Sequence, residues 1–334
     1  MEESRSLNSK RVSHSFWHFV KSASDLENRY ENPGDGKKKE EVQDVGDALE
    51  QMSIKKKKAG PSSVGTKAKE TIQPPEIILM NLVLTLLYGD VSNNHENARS
   101  GCPIKTAGKV KELMNTTVPY TKAQDLISDL STVKQSPHTQ LVSWLSPECS
   151  AFALATDDTK IPGFDDSVHQ FVVVRQNQKI HSAFEDLMKK SDGMSRMVWH
   201  GTSLCNVRSI LRNGFRRSPG GYVWSAEEAI VSYDYSFQYP QHDVYNPTWA
   251  ASPYNGWGAL LGCEVAGGGD YFPYGDYTAR IMPNPSSIIV RYVLLLPPSE
   301  NTPRGTGRCP NRTEVEPTML ATFTKLRSEQ VAQK

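Results

Sequence analysis

The chain has little of several features that mark common protein classes. Its 334 residues carry 38 Lys and Arg against 37 Asp and Glu, a net charge of +1, so bulk charge indicates no polyanionic partner. The five cysteines are odd in number and include no Cys-x-x-Cys pair, which argues against a disulfide framework and a zinc site. The longest apolar run, Ile77 to Tyr88, is interrupted by Asn81 and Thr85 and is shorter than the ~20 residues that span a bilayer. We therefore expect a soluble intracellular protein with no metal and no membrane partner.

The amino-terminal segment has few residues that would build a core. A mean hydropathy of −0.51 is low for a chain folded throughout, and residues 1–75 combine lysine runs with Gly, Pro and Ser, which predicts a disordered tail. Phe16–Val20 would either dock on another surface or form a transient helix. Lys55–Lys58 would either direct nuclear import or be a solvated charge cluster, which is the commoner case. Both nuclear and cytoplasmic locations remain open.

Apolar periodicity begins after Pro74-Pro75. It predicts helices at Glu76–Tyr88, Lys109–Met114, Thr121–Leu130 and Gln140–Leu145, the last stopped by Pro147. We interpret residues 76–150 as a small helical subdomain, and no catalytic constellation occurs in it.

From Ala151 the pattern changes to short apolar runs that are typical of strands. Strands are predicted at 151–155, 170–174, 197–199, 258–265 and 288–296, and the last should be central because it is almost continuously apolar. Helices are predicted over 180–190 and after Ser203, where Thr202 or Ser203 can cap and Gly214 can stop the helix. Residues 151–300 would form the main domain, and 301–334 a polar carboxy-terminal tail.

One tetrapeptide, Trp199-His200-Gly201-Thr202, ends a predicted strand with a histidine followed by a residue that has no side chain. A flat ligand can approach the backbone there, and its polar edge can pair with the N–H and C=O of Gly201. Alone, a histidine and a glycine at a strand end more often form only a turn.

Several ordered segments together are more specific than that tetrapeptide. Val198–Ser203 followed by Ile210–Phe215, then Gly221–Trp224, Leu260–Ala266 and Ile288–Leu295, resemble the catalytic domain of the poly(ADP-ribose) polymerase family, the diphtheria-toxin-like ADP-ribosyltransferases. Tyr222 and Tyr233 are 11 positions apart, the spacing of that family's two nicotinamide-stacking tyrosines. Ser143-Trp144-Leu145 and His169-Gln170-Phe171 look closest to mono-ADP-ribosylating members. The resemblance covers about residues 140–297 and implies an α+β fold of mixed, mainly antiparallel sheets.

The resemblance also implies roles for individual residues. His200 would hold a ribose hydroxyl of NAD+, a co-substrate, and Gly201 would bind the carboxamide. Tyr222 and Tyr233 would stack on nicotinamide, and Thr202 and Ser203 would lie near the adenosine. Each also has a purely structural alternative: Tyr222 and Tyr233 as strand and core contacts, and His200 as a strand-end histidine bonded to backbone.

The sequence departs from the family in three places. Ser287 falls where polymerising members carry a catalytic glutamate, so the catalytic triad would be His200, Tyr222 and Ser287, and chain elongation is not expected. A one-residue shift would place Ser286 or Ile288 there instead, without a change of conclusion. The connection from Phe215 to Tyr222 is short, and the stretch from Gln238 to Trp257 is long and aromatic, forming either a cover for the site or a packed surface loop.

Three functions remain open at this stage. The first is mono-ADP-ribosyl transfer from NAD+ to a protein acceptor, with Asp or Glu as the natural side chains and nucleic acid not excluded. The second is a pseudoenzyme that binds NAD+ or ADP-ribose as a sensor or scaffold. The third is a decayed fold used only for protein interaction, which the intact set of His200-Gly201, Tyr222 and Tyr233 disfavours. An arginine-dependent toxin and an RNA 2′-phosphotransferase rank lower, because no suitable Glu-x-Glu occurs near the late strand and Tyr222 stands where phosphate-binding basic residues are needed.

Overall fold

The structure, a computed structural model, describes residues 74–95, 98–132, 136–233, 235–236, 248–267, 270–274, 277–298 and 309–332. These residues belong to one compact unit that includes residues 73–334. Residues 1–73 of the expected 1–75 tail, with Phe16–Val20 and Lys55–Lys58, lie outside the described residues, as does the 238–247 part of the aromatic stretch.

Four helices open the described chain: α1 (Pro75–Ser92), α2 (Ala107–Thr116), α3 (Ala123–Ser131) and α4 (Pro137–Cys149). By length and composition α1 could cross a membrane, but 72% of it is buried within the fold, as in the core helix of a globular domain. Its Asn81 amide fixes the loop between α2 and α3 by donating to the Tyr120 carbonyl at 2.9 Å and accepting from the Tyr120 N–H at 3.0 Å.

Helix α4 extends past the proline that was expected to stop it. Ser136 begins the helix with a capping box, and Pro147 lies inside its last turn. A proline cannot donate to the carbonyl four residues earlier, but the Ser146 hydroxyl donates to that Ser143 carbonyl at 3.0 Å. The prediction that Pro147 ends the helix is wrong because a side chain replaces the lost hydrogen bond.

Within the described residues, eight strands form one sheet in the order β1–β2–β8–β5–β3–β4–β7–β6. Their bounds are β1 (Phe152–Leu154), β2 (His169–Val173), β3 (Ser195–Thr202), β4 (Val223–Ala226), β5 (Gly258–Ala266), β6 (Asp270–Tyr274), β7 (Tyr277–Met282) and β8 (Ile288–Leu296). Every pairing is antiparallel, so the α+β class is confirmed and the expected mixed pairing is corrected. All of β8 is buried between β2 and β5, which confirms its central position.

Helices cover both faces of the sheet. The remaining ones are α5 (Gln178–Lys190), α6 (Leu204–Asn213), α7 (Ala229–Tyr233) and α8 (Arg312–Ala332). On the first face, α1 to α4 and α6 share one core with strand residues such as Val198 and Leu261. On the second face, α7 and α8 pack with Trp199 and Tyr292, and α5 packs on Ile289. The helices of 76–150 therefore share their core with the sheet.

The carboxy-terminal segment contains a helix where the sequence predicted a polar tail. Val315, Met319, Phe323 and Leu326 recur every three or four residues along α8 and are 0–3% exposed. Such a stripe can bury one side of a helix whose average composition is polar. The prediction of a tail relied on the polar average composition of residues 301–334, which does not reveal this apolar stripe.

Candidate functional site

Strands β3 and β4 part at the carboxyl end of β3. They pair at Trp199 and Ala226. Gly201 lies two residues after Trp199 on β3, and Trp224 lies two residues before Ala226 on β4. In an antiparallel register Gly201 and Trp224 are therefore opposite each other, beyond the paired position. A gap between the strands is therefore bordered by Gly201 on one side and Trp224 on the other.

Gly201 turns its backbone groups toward this gap. The Glu227 N–H donates to the Thr278 carbonyl of β7 at 3.0 Å, so the polar groups of Ala226, one residue earlier, face β3. Trp199 pairs with Ala226, and its own polar groups therefore face the β4 side of β3. Backbone groups alternate between the two edges of a strand, and the N–H and C=O of Gly201 consequently face the same side. They form the donor and acceptor pair that a carboxamide matches.

Helix α7 packs directly on Gly201. A Cβ atom at this position would lie 1.8 Å from the Ser232 carbonyl oxygen and 2.9 Å from the Tyr235 Cβ, distances that no side chain tolerates. Only glycine permits this approach, and the approach brings Tyr235 to the gap.

His200 is held as a neutral imidazole. Its Nδ1 lies 2.7 Å from the Trp224 carbonyl oxygen, and because a carbonyl only accepts, Nδ1 carries the proton and Nε2 presents a lone pair. Burial lowers the pKa of His200 below its ordinary value of 6.5, against a smaller opposing effect of this hydrogen bond. The Phe215 ring packs edge-on at 5.0 Å. Nε2 can therefore accept a hydrogen bond from a ligand hydroxyl.

Tyr233 does not line the gap. It is 5% exposed and lies in the second core with Trp199 and Met319. Burial, with a smaller contribution from Cys309, raises its pKa to about 12. A ring enclosed in this core cannot also stack on a ligand, whereas Tyr235 is only partly buried and lies against Gly201.

Trp224, rather than Tyr222, is the β4 aromatic opposite Gly201. Val223 points into the first core, so its neighbour Trp224 faces the surface that carries α7. The Trp224 indole N–H donates to the Ser218 hydroxyl at 3.2 Å. Tyr222 precedes β4, and its carbonyl accepts from the Ser218 N–H at 2.7 Å. The structure thus brings Gly201, Trp224 and Tyr235 together, in place of the expected pair Tyr222 and Tyr233.

A signal for the second pair was present in the sequence. Trp224 and Tyr235 are also 11 positions apart, so the spacing alone fits both pairs equally. The identity of the residues favoured the two tyrosines, and only burial and register separate the alternatives.

Thr202 and Ser203 lead into α6 without capping it by their side chains. Ser203 occupies the N-cap position but makes no side-chain cap, and its hydroxyl lies 3.0 Å from the Cys205 sulfur. The Thr202 hydroxyl accepts from the Asn206 amide at 3.3 Å. The predicted helix stop at Gly214 is confirmed, with φ at 81°.

Ser287 lies at the opposite end of the sheet. It precedes Ile288, which pairs with Val265, and Val265 pairs with Arg196 at the beginning of β3. Gly201 is six residues beyond Ser195, which corresponds to about 20 Å along the strand. The Ser287 hydroxyl donates to the Asn284 carbonyl at 2.7 Å. The predicted triad of His200, Tyr222 and Ser287 is therefore not assembled.

Two carboxylates, Glu227 and Glu228, follow β4 and precede α7. Both are engaged: Glu227 accepts from Arg280 at 2.7 Å and from Arg312 at 2.5 Å, and Glu228 accepts from the Arg312 backbone N–H at 3.0 Å. In the described parts of β3, β4, β7 and α7 there is no other carboxylate. The gap is thus bordered by aromatic and neutral polar groups.

The described end of the aromatic stretch is packed into the protein. Trp249 and Tyr254 are 0% and 2% exposed, and the Ser252 hydroxyl lies 2.6 Å from the Thr85 hydroxyl of α1. Residues 248–257 therefore form a packed surface loop, one of the two alternatives for this stretch.

Comparison of the chain with protein-family models and with curated proteins finds no match.

Proposed function

We propose that the protein binds NAD+ in the gap between β3 and β4 and transfers a single ADP-ribose from it to an acceptor. Nicotinamide would lie between Trp224 and Tyr235, with its carboxamide on the N–H and C=O of Gly201. The neutral His200 would accept a hydrogen bond from a ribose hydroxyl at Nε2. The proposal assigns the chain the ADP-ribosyltransferase fold that its ordered motifs resemble.

The observation that carries the proposal is the meeting of Gly201, Trp224 and Tyr235 where two strands part. An exposed backbone donor and acceptor with an aromatic ring to each side suits a planar aromatic amide, because ring faces stack and the amide is satisfied by backbone. The contact between α7 and Gly201 fixes Tyr235 beside these backbone groups before any ligand binds.

Transfer breaks the bond between the anomeric carbon and the pyridinium nitrogen, whose electron pair leaves with neutral nicotinamide. The sugar then resembles an oxocarbenium ion, and a negative charge nearby stabilises it. The carboxylates beside α7, Glu227 and Glu228, are already engaged by Arg312. An acceptor Asp or Glu would supply the charge and form the new C–O bond itself, which favours one transfer per site on a protein over chain elongation.

A second function is favoured by the same arrangement of charges. A gap that binds NAD+ but holds Glu227 in arginine pairs and Glu228 on a backbone N–H suits a sensor or scaffold that binds NAD+ or ADP-ribose without turnover. This function requires the same His200, Gly201, Trp224 and Tyr235 contacts.

The full chain is tested by calorimetric titration with NAD+ and by incubation with labelled NAD+ and acceptor protein. We expect binding by the wild type, about tenfold weaker binding by Tyr235→Leu and Trp224→Leu through loss of ring stacking, and no transfer by His200→Ala. Tyr222→Leu is the matched control. It removes an aromatic ring only two residues before Trp224, at a position outside the proposed site, and should leave the affinity for NAD+ unchanged.

The outcomes separate the functions. Labelled acceptor supports transfer, and binding without label supports the sensor. Saturation at a hundredfold excess over Kd should stabilise the fold by about 2.7 kcal/mol. If the wild type at millimolar NAD+ shows no labelled acceptor and no thermal shift, both functions are rejected. A loss of NAD+ affinity in Tyr222→Leu with no loss in Tyr235→Leu would instead support the tyrosine pair Tyr222 and Tyr233.

A further inference from the structure

We infer that the carboxy-terminal helix α8 acts as a clamp that positions the α7 wall of the NAD+ site, with Arg312 and Glu227 as positioning residues. The inference rests on the proposed function for its ligand, and on the contacts of α8 for its mechanism.

Helix α7 cannot hold its own position. It has five residues, little more than one helical turn, and short helices are stabilised mainly by packing. Yet its Ser232 must approach within contact distance of Gly201, and Tyr235 is the second residue after the helix ends. Something outside α7 must fix both of its ends.

The beginning of α7 is fixed by the first turn of α8. Arg312 donates from its backbone N–H to Glu228 at 3.0 Å and from its guanidinium to Glu227 at 2.5 Å. Arg280 of β7 donates to the other oxygen of Glu227 at 2.7 Å. Glu227 is 8% exposed, so its two arginine bonds are shielded from water, and charge-assisted bonds of this kind are stronger than neutral ones.

Arg312 is itself oriented for this task. Its Nε and Nη2 donate to Glu316 one turn later on α8, at 3.0 and 2.7 Å. The planar guanidinium is therefore held between Glu316 and Glu227, a geometry that a lysine cannot reproduce because its donors share one nitrogen.

The end of α7 is fixed by the body of α8. Tyr233 is enclosed in the core that Val315, Met319 and Phe323 complete. Helix α8 thus contributes to the position of both ends of α7, and these contacts influence how far Tyr235 stands from Gly201 and Trp224. Release of the contacts at either end would widen the gap in which nicotinamide is proposed to stack.

The test compares two arginines of the same helix. Arg312 and Arg327 have side chains 25% exposed, and each pairs with a more deeply buried carboxylate, Glu227 or Glu264. Arg327 also donates to Ser195 at the beginning of β3, far from Gly201. Arg312→Gln and Arg327→Gln therefore remove equivalent charges at the two ends of the sheet.

We expect both variants to unfold at lower temperature, but only Arg312→Gln to lose affinity for NAD+, by tenfold or more. Arg312→Lys should recover part of the stability and little of the affinity. Hydrogen–deuterium exchange without ligand should rise in residues 229–236 for Arg312→Gln and remain unchanged there for Arg327→Gln.

Equal affinities of wild type and Arg312→Gln, with unchanged exchange over 229–236, would overturn the clamp while leaving the proposed function intact. Equal losses of affinity in both variants would show general destabilisation and would overturn it as well. If the wild type binds no NAD+, the proposed function fails. A rise in exchange over residues 229–236 that is confined to Arg312→Gln would then still show that α8 positions α7. Unchanged exchange in Arg312→Gln would overturn that role of α8 as well.

Discussion

On each face of the sheet an arginine joins the helices that pack there, but the two arginines serve different purposes. On the first face, Arg208 of α6 is 2% exposed and donates to Asp90 of α1 at 2.7 Å and to Glu148 of α4 at 2.6 and 2.8 Å. On the second face, Arg312 is partly exposed and joins α8 to the turn before α7. The Arg208 contacts hold the long helices α1, α4 and α6 together as a platform, whereas the Arg312 contacts hold the short helix α7 beside the candidate site.

This difference implies that stability and ligand affinity can be changed separately. The first face holds most of the apolar core and, among the described residues, reaches the site through α6, Phe215 and His200. The second face contributes α7, whose position defines the gap. Three further experiments, from the largest expected effect to the smallest, examine this division.

The largest effect is expected for Arg208→Met. The variant removes Arg208 from the buried carboxylate of Asp90 and from the partly exposed Glu148, and leaves only His95 beside Asp90 and Arg212 beside Glu148. Loss of a buried charge partner costs about 3–5 kcal/mol of unfolding free energy and on the order of 10 °C in Tm. Denaturant and thermal unfolding measure this loss. The affinity for NAD+, measured well below the new Tm, should stay within about twofold of the wild type if the first face is only a platform. A tenfold loss of affinity would contradict the division between the faces.

A smaller effect is expected from pH, through His200. Its lowered pKa predicts that affinity for NAD+ is constant from pH 8 to 6.5 and falls only below 6.5, where Nε2 takes up a proton and ceases to accept a hydroxyl. Because the unfolded chain binds that proton first, the folded state also loses stability as the pH falls from 6.5 toward the folded pKa. Titration of His200→Gln isolates the effect from other histidines: its affinity should be lower but should not change with pH over this range. The same pH dependence in both proteins would assign it to another group.

The smallest effect is expected for Ser287→Ala. The hydroxyl donates locally to the Asn284 carbonyl and lies about 20 Å along the strand from Gly201, so both affinity and the rate of transfer should stay within about twofold of the wild type. Ser287→Glu should likewise produce no polymer. A tenfold change in either quantity for Ser287→Ala would return Ser287 to the site and would break the assignment of the site to the β3–β4 gap.

The sequence by itself determined the elements whose signal is local. The continuous apolar run of β8 marked a central strand, Gly214 marked the end of α6, and His200-Gly201 marked the end of a strand beside a helix. Each depends on side chains within a few positions of one another, so periodicity and turn chemistry are sufficient to find it.

Tertiary structure decided the rest, because the deciding contacts join distant parts of the chain. Two aromatic pairs share the spacing of 11, and Tyr233 is excluded from the gap only because α8, about 80 positions later, encloses it in the second core. Ser287 is separated from His200 by strand order: β5 lies between β3 and β8, and β8 begins at the opposite end. Composition and spacing contain no information on register, and register fixes which side chains meet.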